Sequence, residues 1–224
     1  MLKVILFLCV ILLALFFLYP EQMEELAEQG ETQITGAVEN ATDALTGGSS
    51  SGSEISMLPA GTTELDVQLL EATERGDLDS VQALLGRGAN INGRGTDGST
   101  PLILAVKGDR IELARFFLES GAEANTRDSR GRTALFLAAG RGQTMATRLL
   151  AGAGADPNIS TKSGSTPLME AARFGSAEVT GILIDAGANL NARASNGWTA
   201  WMVADDRGHT DIIALLRAAG ASPP

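Results

Sequence analysis

The sequence predicts an all-α solenoid of about five short helix-turn-helix units, preceded by an apolar N-terminal segment and a flexible linker. Threonine recurs every 33 residues, at Thr100, Thr133, Thr166 and Thr199. A fixed period of about 20 to 50 residues is typical of repeat proteins. The composition agrees, because 44% of the residues are hydrophobic but only 4% are aromatic. Small apolar side chains of this kind let neighbouring helices approach closely.

The N-terminal segment is uninterrupted apolar sequence over residues 4–19, with Lys3 before it and acidic residues after it. As a helix it would span roughly 24 Å, and the long Lys3 side chain extends it toward a hydrocarbon core of about 30 Å. No small-x-small cleavage pattern follows the run. We therefore predict a transmembrane anchor in residues 1–20, with residues 2–19 in the membrane; a cleaved signal peptide is the alternative.

Lys3 is the only cation near the apolar run, so the positive-inside rule keeps the N-terminus in the cytoplasm while the acidic remainder crosses the membrane. The compact anchor and the absence of eukaryotic targeting features indicate a bacterium, and a eukaryotic secretory-pathway protein with the same topology is the alternative. The expected location is the inner membrane, crossed once, with the repeat domain in the periplasm. A periplasmic protein released by signal cleavage is the alternative.

Two segments connect the anchor to the repeats. Residues 1–63 carry one Lys and eight acidic residues, whereas residues 64–224 carry 16 Lys and Arg and 19 acidic residues. Residues 21–45 form an acidic stalk, either helical or unstructured, whose thin apolar stripe permits self-association, although we do not expect it. Residues 46–63 contain the run GGSSSGS, which predicts a flexible linker with a typical reach of roughly 23 Å.

Four units begin with related sequences: DGSTPLILAV, RGRTALFLAA, SGSTPLMEAA and NGWTAWMVAD, which start at Asp97, Arg130, Ser163 and Asn196. A unit before them lacks this start but keeps the register, and all five contain a Gly-Ala pair near the end. These motifs resemble the ankyrin repeat family over about residues 64–222. The resemblance implies a solenoid of paired helices and hairpin loops in residues 64–224. Its units are about 64–96, 97–129, 130–162, 163–195 and 196–224.

The recurring residues have structural roles. Thr can cap a first helix, and the proline after it in two units loses no hydrogen bond there. The predicted core of the first helices comprises Leu102, Leu135, Leu168, Ala105, Ala138, Ala171 and Trp201. In the second helices we expect burial of Leu84, Leu85, Phe117, Leu118, Leu149, Leu150, Leu183, Ile184, Leu215 and Leu216. Glycine suits the turn between the helices at Gly76, Gly142, Gly175 and Gly208. Asp109 takes this place in the second unit, which predicts strain or a different turn.

The sequence offers little material for catalysis or for a metal site. Cys9 is the only cysteine and His209 the only histidine, so a disulfide within the chain, a cysteine cluster and a multi-histidine metal site are excluded. The family resemblance makes His209 a structural hydrogen-bonding residue after the turn glycine. Asp205 and Asp206 are adjacent, so on a helix they diverge, and a polar end cap is the preferred interpretation. We predict no enzyme and no cofactor.

The acidic balance argues against nucleic acid, which requires a strongly basic domain. The resemblance instead implies protein binding through the loop tips and the first helices. The predicted binding residues there are Arg75, Lys107, Arg130, Arg132, Arg141, Lys162, Arg173, Phe174, Trp198 and Arg207. Eight of the ten are basic, so we expect a partner with an acidic surface, with Phe174 and Trp198 as anchors. The alternative is that they are ordinary solvated side chains. For Trp198, the alternative is that its ring folds over the last repeat as part of the end cap.

The protein should act as a scaffold or adaptor, or as an accessory subunit of a membrane complex, on the extracytoplasmic side. The alternative is an inhibitor or immunity-type protein that neutralises an extracytoplasmic enzyme or toxin. These functions differ in the partner, which the sequence does not name.

Overall fold

A computed structural model describes residues 63–223. The predicted anchor, the stalk and residues 46–62 of the linker lie outside this part. Residues 63–223 form ten α-helices and no strand, so the predicted all-α class is confirmed for them. None of these helices has the length and apolar character needed to cross a membrane. The helices are α1 Glu64–Arg75, α2 Leu78–Gly86, α3 Pro101–Lys107, α4 Ile111–Glu119, α5 Ala134–Ala139, α6 Thr144–Gly152, α7 Pro167–Phe174, α8 Ala177–Asp185, α9 Ala200–Arg207 and α10 Thr210–Ala218.

The helices form antiparallel pairs that stack in two layers. Each odd-numbered helix packs against the even-numbered helix that follows it and against the odd-numbered helix of the next pair. From α4 onward, the even-numbered helices also pack against one another along the stack. The odd-numbered helices therefore form an inner layer that each pair shares with its neighbours.

The threonine period sets the start of the inner helices. The hydroxyls of Thr100, Thr133, Thr166 and Thr199 accept hydrogen bonds from the backbone N–H three residues later, at 3.2–3.4 Å. Such a cap satisfies a donor that has no partner inside the helix. Helix α1 begins in the same way at Thr63, where the Asp66 carboxylate accepts a hydrogen bond from the Thr63 N–H and completes a capping box.

The turn inside each pair requires a left-handed backbone. Gly76, Gly142, Gly175 and Gly208 have φ between 66° and 93°. Asp109 adopts φ 55° at the equivalent place and is the only residue other than glycine with positive φ in the described part. The predicted strain is therefore present at Asp109, but the turn keeps the shape that it has in the other units.

The core consists mainly of leucine and alanine. Leu102, Leu135 and Leu168 are at most 1% exposed. Ala105, Ala138 and Ala171 are fully buried, and Trp201 is buried as predicted. The prediction for the second helices was wrong in part, because only one member of each pair is buried. Leu215 is 36% exposed, since no further unit packs outside α10 within the described residues.

Asparagine side chains join consecutive units across the loops. The Oδ1 atoms of four asparagines, spaced by 33 residues, each accept a hydrogen bond from a backbone N–H in the next unit, 31 residues further on. The donor to acceptor distances lie between 2.7 and 3.0 Å. These asparagines are Asn92, Asn125, Asn158 and Asn191. Within the first unit, the Asp66 carboxylate accepts a hydrogen bond from the Asn90 N–H at 2.6 Å, but this bond does not reach a second unit.

Asn158→Ala should destabilise the stack. Asn158 accepts from the Asn189 N–H and donates to the Gly187 carbonyl, and two hydrogen bonds that water can partly replace contribute about 1–2 kcal/mol. We expect this loss in the free energy of unfolding, measured by urea denaturation of the full chain. The control is Asn196→Ala, which removes a hydrogen bond within a single loop and should cost less than half as much. Equal costs would contradict a special role for the inter-unit bonds.

Candidate functional site

The ten predicted binding residues occupy two kinds of position. The end of an inner helix, or the residues next to it, holds Arg75, Lys107, Arg141, Arg173, Phe174 and Arg207. The loops that lead into the inner helices hold Arg130, Arg132, Lys162 and Trp198. The fold therefore distributes the set over all five units.

Backbone hydrogen bonds fix the loop tips to one another. The Ser129 N–H donates to the Asp97 carbonyl at 3.0 Å, and the Ser195 N–H donates to the Ser163 carbonyl at 2.9 Å. Between them the Lys162 N–H is 3.4 Å from the Arg130 carbonyl. The tips form a continuous edge, in which the side chains of neighbouring units are held in register.

Two arginines that the sequence analysis missed stabilise this edge. The Arg94 guanidinium donates to the Arg127 carbonyl at 2.8 Å, and the Arg127 guanidinium donates to the Ser160 carbonyl at 2.5 Å. Each bond reaches 33 residues forward, to the next unit. The 33-residue spacing of the two arginines was the signal that could have identified them.

Three of the grooves within residues 63–223 contain predicted binding residues. The first, of about 420 Å³, includes Leu70, Asp97 and Lys107. The second, which we call the central groove, has a volume of about 250 Å³. The third, the C-terminal groove, has a volume of about 410 Å³. The central groove is lined by Arg132, Phe136, Leu137, Gly140, Arg141, Glu170 and Arg173.

The C-terminal groove contains the exposed tryptophan. Trp198 is 38% exposed and lines this groove together with Met169 and Val203. Trp198 therefore combines an accessible ring with a place against the last two units, and its role as a binding anchor stays a prediction. Glu170 and Arg173 line the central groove as well, so the two grooves are adjacent.

Most of the predicted cations already have a carboxylate partner. Five of the eight lie within 4 Å of one. The pairs are Arg75 with Glu71, Lys107 with Asp97, Arg132 with Asp128, Arg173 with Glu170 and Arg207 with Asp206. Among residues 63–223, Arg130, Arg141 and Lys162 have no such partner. The expected surplus of positive charge is thus smaller than the sequence suggested, because the same units supply neutralising acids.

Two of these acids have lowered pKa values. Burial would raise the pKa of Asp97, but hydrogen bonds from Lys107 and Ser99 outweigh it and hold the pKa at about 2, below its ordinary 3.8. Burial acts in the same direction on Asp128, and the side-chain and backbone hydrogen bonds from Arg132 overcome it, so the pKa of Asp128 is also lowered. Both carboxylates are therefore ionised partners that orient their cations.

Phe174 and His209 pack against the turn glycines. The Phe174 ring lies over Gly142, so that even a methyl group on that glycine would collide with it, and 54% of Phe174 is exposed. His209 lies in the same way over Gly175. The prediction that His209 is a hydrogen-bonding residue was wrong, since its ring makes no hydrogen bond within residues 63–223. His209 therefore contacts the preceding unit by packing its ring against Gly175.

The site has the features of a binding surface. It offers grooves with apolar floors, exposed rings and fixed cations, which are the elements of protein recognition. Within the described residues, no group of three or more His, Cys, Asp and Glu side chains is placed to hold a metal ion. The binding role of the ten residues stays a prediction.

Comparison with known families gives a match over most of the chain. Residues 69–161 and 141–224 match the sequence model of a family described as ankyrin repeats (3 copies). The two matches together extend from residue 69 to residue 224, which includes all three grooves. No curated protein matches the chain.

Acid should destabilise the repeats through these carboxylates. A carboxyl group whose pKa is lower in the folded state adds stability above its ordinary pKa, and this stability is lost as the pH falls through the folded pKa. We therefore expect the free energy of unfolding to fall between about pH 4 and pH 2. Asp128→Asn should lower stability at pH 7 and flatten this decline, whereas Asp211→Asn, exposed on α10, serves as the control. Urea denaturation at several pH values measures both; an unchanged slope in Asp128→Asn would contradict the assignment.

Proposed function

Because the chain belongs to the ankyrin repeat family, we propose that it is a membrane-tethered binding protein that acts as a scaffold, adaptor or accessory subunit on the extracytoplasmic side. Ankyrin repeats indicate a protein–protein interaction module. We further propose that the chain is anchored in a membrane, that its repeats lie on the extracytoplasmic side and that its partner has an acidic surface. The observation that supports it best is the surface formed by the adjacent central and C-terminal grooves, which share Glu170 and Arg173.

This surface has the composition of a protein interface. It places Trp198 beside the apolar side chains of Met169 and Val203, and aromatic and arginine residues are frequent hot spots of binding. The grooves also present Arg132, Arg141 and Arg173. Arg141 lacks a carboxylate partner among residues 63–223, so an acidic group of the partner would gain an interaction there. Charge pairs of this kind select the partner and its orientation.

The tether is argued from the N-terminal sequence alone. The apolar run at residues 4–19 is nearly long enough to cross a membrane as a helix. Lys3 on one side and the acidic residues on the other favour a cytoplasmic N-terminus and an extracytoplasmic repeat domain. The linker at residues 46–63 would let the repeats reach a partner at a variable distance from the membrane.

The binding surface can be tested by site-specific cross-linking in cells that express the full chain. A photoreactive residue at Arg141 or Trp198 should yield a covalent adduct with a partner protein. The same residue at Arg115 or Arg87, which are exposed at the outer helices, should yield none. Arg141→Glu with Arg173→Glu should weaken binding of the captured partner by at least tenfold, whereas Arg87→Glu with Arg115→Glu should leave it unchanged. If adducts form only from Arg87 or Arg115, the partner binds the outer helices and not the grooves.

The topology can be tested in bacterial spheroplasts. We expect added protease to degrade the repeat domain, because residues 64–224 should lie outside the cytoplasm, and we expect the intact protein to fractionate with membranes. A cytoplasmic protein measured in the same sample controls for lysis. Protection of the repeats would contradict the orientation, and a soluble mature form that begins after Tyr19 would contradict the retained anchor.

A further inference from the structure

We propose that the central groove is a receptor for one acidic side chain, Asp or Glu, that projects from the partner protein. This inference rests on the proposed function and assigns a specific chemistry to one part of the binding surface. It depends on three features of the groove: the glycine that opens it, the arginine donors that line it and its apolar floor.

Gly140 opens the groove. The equivalent positions of the other units carry Glu74, Lys107, Arg173 and Asp206, all long or charged side chains. Gly140 has φ −69°, a value that every residue adopts, so the backbone does not require glycine here. A Cβ atom at this position would lie 3.2 Å from the Glu170 carboxylate, and a longer side chain would enter the groove. The missing side chain therefore leaves space on the binding surface itself.

Arginine donors surround this space. Arg132 uses its Nε and one terminal nitrogen for Asp128, and Arg173 uses the same two groups for Glu170. A guanidinium has five N–H donors, so both keep donors for a second acceptor. Arg141 is exposed and has no carboxylate partner among residues 63–223. An incoming carboxylate would thus find three cations whose orientations are in part already fixed.

The carboxylates in the neighbourhood are engaged. Asp128 is 5% exposed and bound to Arg132, and Glu170 accepts from Ser165 at 3.2 Å in addition to its bonds with Arg173. Asp128 pairs with Arg132 and Glu170 pairs with Arg173, so the excess positive charge of the groove comes from Arg141. Arg141 would repel a lysine or arginine of the partner, whereas an Asp or Glu of the partner would form an ion pair with it.

The floor and the size of the groove favour a single side chain. Phe136 and Leu137 are 8% and 5% exposed, so they form an apolar base on which charge interactions are less screened than in open water. The volume of about 250 Å³ is below the range of roughly 300–1,000 Å³ that is typical of small-molecule pockets. A whole metabolite fits less well than one acidic side chain presented by a protein.

The test uses the ¹⁵N-labelled full chain and a defined peptide. The probe is a dodecapeptide of alternating Glu and Ser, acetylated and amidated so that it has no terminal charge, and the comparison peptide carries Gln in place of Glu. We expect the Glu peptide to shift the amide signals of Gly140 and Arg141 in a saturable manner. The Gln peptide should leave them unchanged.

Matched variants locate the site. Gly140→Gln fills the groove, and Gly181→Gln adds the same side chain on α8, where nothing lies within 4 Å of the new Cβ atom. Arg141→Gln removes the unpaired cation, and Arg115→Gln removes an exposed cation of α4. We expect Gly140→Gln and Arg141→Gln to raise the dissociation constant at least fivefold and the two controls to change it less than twofold. Thermal melting verifies that each variant is folded.

The outcomes separate this inference from the proposed function. If the Glu peptide binds but Gly140→Gln and Arg141→Gln bind it like the parent, the central groove is the wrong receptor, while an acidic partner remains supported. If neither peptide binds, or both bind equally, carboxylate recognition is wrong. The cross-links from Arg141 and Trp198 then still decide whether this face binds a protein.

Discussion

The stack depends on the requirement that each unit completes the structure of its neighbour. A pair of short helices cannot bury its own apolar side chains, and the loop between two pairs leaves backbone groups without partners. Both deficits are met at a spacing of 33 residues, by packing of the inner helices on one another and by asparagine side chains that accept backbone N–H groups of the next unit. Because every unit repeats this solution, the register tolerates little variation at the residues that maintain it.

This requirement determines where variation is permitted. Thr133, Leu135 and Ala138 are nearly inaccessible and serve the stack, whereas Gly140 and Arg141 at the end of the same inner helix face the grooves. The residue type at these outer positions changes from unit to unit without a change in the backbone. The central groove exists because one unit has glycine where the next has Arg173. Differences in residue type at the ends of the inner helices thus determine the shape and charge of each groove.

The sequence predicted many of the features that depend on the period, although the inter-unit hydrogen bonds of Arg94 and Arg127 were not predicted. The capping threonines, the buried leucines of the inner helices and the glycine turns follow from the repeated pattern. At Asp109 the sequence predicted strain or a different turn, and the structure shows a left-handed backbone there. The interaction partners of individual side chains do not follow from the repeated pattern. Arg132 was predicted as a partner-binding cation, and in the structure it pairs with Asp128. The His209 ring packs on Gly175 and makes no hydrogen bond among residues 63–223. These contacts depend on side-chain rotamers across two loops, which a spacing does not specify.

The pairing of cations with acids changes how the surface can recognise a partner. A surface of eight free cations would attract an acidic protein from a distance, but Lys107, Arg132 and Arg173 each have a carboxylate at close range. Opposite charges this close cancel at long range, and salt screens what remains within about 8 Å at physiological ionic strength. Attraction over distance is therefore weak. Selectivity must arise after contact, where Trp198 and the donors left on the arginines lie within reach of the partner and water is displaced from the grooves.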